Sequence, residues 1–155
     1  MIQLRRSLFP TDFSDNARAA LPYACAFAEQ FGAELHILNV MYEMAQVMPE
    51  AGAFLTTPVS NIDEVRESAE RALAKLPGSE WEKVGNVVQA TVPGTPFLEI
   101  IRYAKEHDVD LIVMGTHGRS GLAHVLLGSV AERVVRKAPC PVLSVRPEGH
   151  KFVMP

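Results

Sequence analysis

Apolar positions change their spacing several times along the chain, and these changes divide it into alternating strands and helices. Residues 4–9 (Leu-Arg-Arg-Ser-Leu-Phe) are apolar enough for a strand that stops at Pro10. Leu21, Ala24, Cys25, Ala28 and Phe31 then recur at helical spacing, with Ser14 or Asp15 available as the N-cap and Gly32 as the stop. Pro22 lies inside that pattern, where it removes a hydrogen bond, so a bend is expected there. Residues 34–40 predict a second strand. Residues 41–60, with Met41, Met44, Met48, Pro49, Gly52 and Pro58, show no clean period. They read as a long connection, either an ordinary mobile loop or an adaptable methionine-rich partner surface.

Asn61 or Asp63 can cap a helix that places Val65, Ala69, Leu73 and Leu76 on one face and stops at Pro77-Gly78. Residues 84–92 predict a third strand closed by Pro93-Gly94. Thr95-Pro96 opens a helix that carries Phe97, Ile100, Ile101 and Ala104 inward, with proline at the favourable first position. Residues 109–114 form the clearest buried strand. Residues 115–127 read as a loop, and Gly128 or Ser129 opens a helix bearing Ala131, Val134 and Val135. Residues 141–145 are the last strand. Strands alternating with helices in this way predict an α/β fold. The expectation is one doubly wound open sheet of five parallel strands, order 3-2-1-4-5, with helices on both faces. Residues 1–147 are expected to form one domain, followed by a polar tail over 148–155. Sheets of this kind bind ligands at the carboxyl ends of their strands, near the topological switch.

Charge narrows the function. The formal net charge is −3, with acidic and basic residues interleaved, so no clustered basic surface offers itself to nucleic acid. Arg133, Arg136 and Lys137 sit at one helix end, where they complement the helix dipole. The two cysteines, Cys25 and Cys140, imply no disulfide framework. The first residues lack the features of a signal peptide, and no apolar stretch approaches the roughly 20 residues a membrane helix needs. A soluble, cytoplasmic protein is expected.

The chemistry concentrates after the most hydrophobic strand, in Gly115-Thr116-His117-Gly118-Arg119-Ser120-Gly121 and then Gly128-Ser129. Glycines let backbone N–H groups approach a ligand, and a helix starting at Ser129 aims its unpaired N–H groups and positive dipole end at the same crevice. The Ser129 hydroxyl and the side chains of Thr116, His117, Arg119 and Ser120 are further donors. The residues alone leave two readings open: an anion or phosphate seat, or ordinary turn glycines. His117 and His124 have no third partner at metal spacing, so a zinc site is not expected.

This constellation resembles the universal stress protein family. Its ATP-binding members carry G-x2-G-x9-G-[ST], matched by Gly115, Gly118, Gly128 and Ser129. The flanking words also look like that family: Leu111-Ile112-Val113-Met114 before the loop, Val130-Ala131 after it, Ala138-Pro139-Cys140-Pro141 with Val142-Leu143-Ser144-Val145 at one end, and Phe9-Pro10-Thr11-Asp12-Phe13-Ser14 at the other. The resemblance implies that Pro10, Thr11 and Asp12 lie beside adenine and ribose, with Val40 against the base and Met114 packed nearby. It implies that residues 115–121 wrap ribose and phosphates, and that Ser129, Val130 and Ala131 bind phosphate. From the residues alone, Asp12 is as well suited to capping a helix or closing a turn. The ligand so implied is ATP, or ADP or AMP, with Mg²⁺ expected to accompany a triphosphate and to be held by phosphates and waters. A homodimer is implied too, paired through the edge strand Val142–Val145.

Several enzyme classes are discounted. There is no G-x4-G-K-[ST], no G-x-G-x-x-G after the first strand, and Ser120 is not in a G-x-S-x-G elbow. The expectation is a nucleotide-binding regulatory protein of the stress response. Slow ATP hydrolysis and a nucleotide-free interaction module of the same fold stand as alternatives.

Overall fold

The computed structural model describes residues 1–41, 62–76, 82–117 and 128–147. Within them the apolar runs pair as one parallel sheet of β1 (Arg6–Thr11), β2 (Glu34–Met41), β3 (Val87–Pro93), β4 (Leu111–Gly115) and β5 (Val142–Val145), in the order β3-β2-β1-β4-β5. The helices are α1 (Asp15–Arg18), α2 (Leu21–Phe31), α3 (Ile62–Lys75), α4 (Pro96–Glu106) and α5 (Ser129–Lys137). The order expected from the alternation is the one observed.

Side chains alternate across the pleat, and both faces are covered. Phe9, Leu35, Ile37, Val113 and Val145 pack with Ala24 and Ala28 of α2 and Leu73 of α3. Leu8, Leu38, Ile112 and Met114 pack on the other side with Ile100 and Ala104 of α4 and Ala131 and Val134 of α5. Burial on both faces is why β4 reads as an unbroken apolar run rather than an alternating one. Each fully buried Leu, Ile or Phe contributes about 1.5–3 kcal/mol over its exposed state.

The structure corrects several local expectations. β1 does not stop at Pro10 but continues to Thr11. Even-numbered residues of β1 aim their backbone groups at β4, as Asp110 N–H donating to Arg6 O (2.9 Å) shows, whereas Arg5 O accepts from Glu34 N on the β2 side (2.9 Å). The β1–β4 register ends at Leu8↔Ile112, so the missing N–H of Pro10 falls where the ladder has already ended. The helix expected to bend at Pro22 breaks instead: α1 ends at Arg18, and α2 starts at Leu21 with Pro22 in its first turn, where no N–H is needed. Ser14, not Asp15, caps α1, its Oγ accepting from Ala17 N at 3.2 Å. Gly32 ends α2 in the left-handed region (φ 62°), as expected.

Phe31, Val65 and Val135, set at helical spacing with core positions, are exposed at 41%, 47% and 48%. α3 buries only Ala69 and Leu73, and the inward stripe of α5 is Ala131 and Val134, leaving Val135 a further 100° around the helix. β3 begins at Val87, although Val84 before it is buried in the core. Arg136 and Lys137 do occupy the last turn of α5, and Arg133 lies 4.8 Å from the centre of the Phe97 ring. The stretch 42–61 with Met44 and Met48, the stop at Pro77-Gly78 and the tail 148–155 lie outside the described residues.

At the amino end of the sheet a polar network enters the core. His36 is buried, with Nε2 2.7 Å from Glu34 Oε1 and Nδ1 2.9 Å from the Tyr103 hydroxyl. A carboxylate only accepts, so Nε2 carries a proton. Tyr103 stacks on His107, and burial, then the Glu34 charge, pushes its phenol up from the ordinary value.

Candidate functional site

The candidate site lies where β1 and β4 part, at the point where the strand order reverses. On one wall β1 ends in Thr11, whose backbone oxygen accepts from the buried Asn39 side chain of β2 (Nδ2, 2.9 Å). The chain then turns sharply. Phe13 has φ 65°, Phe13 N donates to Thr11 Oγ1 (3.0 Å), and Ser14 N donates to Asp12 Oδ1 (3.0 Å). The Ser14 hydroxyl adds a second bond to the same Asp12 oxygen at 2.5 Å. Asp12 therefore does close a turn, one of the roles its type allows, while Ser14 performs the capping.

On the other wall β4 ends at Gly115. A methyl built there would sit 2.5 Å from the Asn16 carbonyl oxygen and 3.1 Å from Ala17 Cα. The backbone of α1 is thus seated directly on β4, and only glycine leaves room for it. Thr116 continues the wall: its N–H donates to Val145 O (2.9 Å) and its carbonyl accepts from Gly128 N (2.7 Å). That bond brings the start of α5 to the end of β4. A methyl at Gly128 would meet Thr116 O at 2.9 Å and His117 Cα at 3.3 Å. At these two positions glycine serves close packing of the protein's own backbone, a reason the sequence reading did not supply.

The N-cap of α5 is Gly128, which has no side chain to offer the first N–H groups, and Ser129 is exposed. The first N–H groups of this nine-residue helix and the positive end of its dipole lie at the crevice. These bonds and contacts join Gly115, Thr116, His117, Gly128 and Ser129 along one wall, and Pro10, Thr11 and Asp12 lie at the end of β1 on the other. The structure reassigns several side chains. Thr11 and Thr116 are buried, with the Thr11 hydroxyl holding Phe13 N and the Thr116 hydroxyl 3.0 Å from His117 Nδ1. Met114 and Ala131 are 5% and 2% exposed and belong to the core, so Ala131 can offer a ligand its backbone but little side chain. Val40 and Val130 pack partly against the same cluster. Gly118, Arg119, Ser120 and Gly121 lie outside the described residues. Asn39 and the Ser14 hydroxyl, which hold this first wall together, were not singled out in the sequence; a polar residue inside a largely apolar strand was the available signal for Asn39.

The model of the universal stress protein family matches residues 3–146. The chain belongs to that family. A universal stress protein of Methanocaldococcus jannaschii is 36% identical over 143 residues, covering 92% of this chain and 82% of its own. The solved structure of MJ0577 superimposes with a TM-score of 0.79 at 34% identity, covering 96% of this chain and 99% of that one. A universal stress protein solved in complex with cAMP has a TM-score of 0.62 at 26% identity, with 95% and 100% coverage. The family's parallel sheet is the one described above. Among the described residues, no helix is long and apolar enough to cross a membrane, and no group of three His, Cys, Asp or Glu side chains is placed to hold a metal ion.

Proposed function

We propose that this protein binds an adenine nucleotide, ATP or its hydrolysis products, in the β1–β4 crevice and acts as a nucleotide-dependent regulatory switch in the stress response. The observation that carries the proposal is the amino end of α5, which begins at a glycine and is held at the end of β4 by the Gly128–Thr116 bond. Backbone N–H groups fixed in this way meet phosphate oxygens with little reorganisation. The base and ribose then fall beside Pro10, Thr11, Asp12 and Val40, and the phosphates beside residues 115–121 and the backbone of Ser129, Val130 and Ala131. A family relative in complex with cAMP supports a nucleotide as the ligand class. Mg²⁺ would enter with the triphosphate and supply charge neutralisation, and phosphates and waters would hold it.

The switch is non-catalytic in this proposal. Efficient hydrolysis asks for a positioned water and charge stabilisation at the γ-phosphate, and no residue pattern in the sequence supplies them. Nucleotide occupancy would bias residues 115–129 toward one arrangement and so alter a partner surface. The functional unit is a cytoplasmic homodimer joined through β5, the edge strand at Val142–Val145. Native mass spectrometry of the purified protein tests the ligand. Co-purifying ATP supports a switch, ADP or AMP favours slow turnover, and failure to load after incubation with Mg-ATP overturns the proposal. Sedimentation tests the dimer, and a pure monomer at micromolar concentration refutes it.

A further inference from the structure

The turn after β1 contains a hydrogen-bonded chain whose direction is settled by counting protons. Ala17 N–H donates to Ser14 Oγ (3.2 Å), so that oxygen is an acceptor there. The hydroxyl's single hydrogen then goes to Asp12 Oδ1 at 2.5 Å, because a carboxylate has nothing to donate. Ser14 N–H reaches the same Oδ1 at 3.0 Å. Two donors from one residue on one oxygen restrain the carboxylate where it stands. The same unit extends to the facing wall, since Asn16 and Ala17 of α1 rest on Gly115.

We propose that Ser14 is the positioning residue for base selection, orienting the Asp12 carboxylate so that the site prefers a 6-amino purine to a 6-oxo purine. This rests on the nucleotide reading above. A carboxylate accepts from an exocyclic amine and repels a carbonyl oxygen at the same point, but only a carboxylate held in one orientation enforces that difference. One that rotates can turn aside and let a 6-oxo base enter. A hydrogen bond to a charged group is strong enough for roughly ten- to hundredfold discrimination.

The test is titration of Mg-ATP and Mg-GTP into the full-length protein and into Ser14→Gly and Ser14→Thr, with thermal melts of each. Glycine is nearly as good an N-cap as serine, so Ser14→Gly keeps α1 capped to within a few tenths of a kcal/mol while removing the hydroxyl bond to Asp12. The expected result is a wild-type preference for ATP of about tenfold or more. It should fall at least threefold in Ser14→Gly and be restored in Ser14→Thr, with melting temperatures close together. An ATP/GTP ratio unchanged in Ser14→Gly overturns the role of Ser14 and leaves nucleotide binding standing. A ratio that falls in both variants overturns it too, because threonine retains the hydroxyl. Should the wild type bind neither nucleotide, the nucleotide reading itself fails.

Discussion

Replacing Gly115 by alanine separates the packing role of this glycine from any role in binding. The added methyl would lie 2.5 Å from the Asn16 carbonyl oxygen, and Ala17 Cα is at 3.1 Å. Both obstacles are backbone atoms, so no side chain can rotate away. To reach ordinary van der Waals distance, α1 must retreat from β4 by roughly 0.9 Å, in an interior packed at crystal-like density. Overpacking of this kind costs about 1–3 kcal/mol. At roughly 2–4 °C per kcal/mol for a chain of this size, a mid-range cost lowers Tm by about 4–8 °C. Urea denaturation followed by circular dichroism gives the free energy directly, with Gly85→Ala as the control, because nothing lies within 4 Å of a methyl there. The nucleotide-free protein is used, so that lost binding cannot pass for lost stability. If Gly115→Ala melts with the wild type while Gly85→Ala does too, α1 is not seated on β4 as described.

Three further outcomes are expected. Removing the Asn39 side chain (Asn39→Ala) deprives the Thr11 carbonyl of its buried donor and should cost about 1–3 kcal/mol by urea titration. The Tyr103 phenol is raised by burial and by Glu34, so its share of stability is intact below the ordinary tyrosine value near 10 and is lost as pH rises from there through the folded value. Urea midpoints between about pH 8 and 11.5 should fall less steeply in Tyr103→Phe than in the wild type, and parallel slopes would contradict this. The Cys140 thiol is pushed up by burial and then by Asp110, against a smaller opposing effect of the Ile112 backbone, so it should alkylate with iodoacetamide more slowly at pH 8 than a free thiol; mass spectrometry gives the rate.

Much of the fold was legible in the chain itself. The spacing of Leu21, Ala24, Cys25, Ala28 and Phe31 marks one face; the first four are in the core, and Phe31 at the helix end is exposed. The apolar run ending at Met114 is the fully covered strand it resembles. The errors share a cause: a local pattern says which groups want partners but not which side the partners come from. Pro10 looked like a strand stop because proline lacks a donor. Which of its sides lay beyond the end of a ladder could be known only once β4 was in place. Val65 and Val135 are apolar and at helical spacing, yet whether the sheet reaches beneath them is a matter of how far the sheet extends.

The candidate site divides along the same line. Residue type and spacing alone determined that the loop after β4 is glycine-rich, that a helix follows it, and that the family resemblance held across the chain, as the match over residues 3–146 bears out. Only the tertiary structure decided why Gly115 and Gly128 must be glycine, because the atoms that exclude a methyl belong to α1 and to Thr116, one of them a hundred residues away in the chain. It alone decided that the Thr11 and Thr116 hydroxyls are occupied and that Asp12 is held by Ser14. Hydrogen bonds and close contacts act over a few ångströms in space, and sequence separation does not specify those distances.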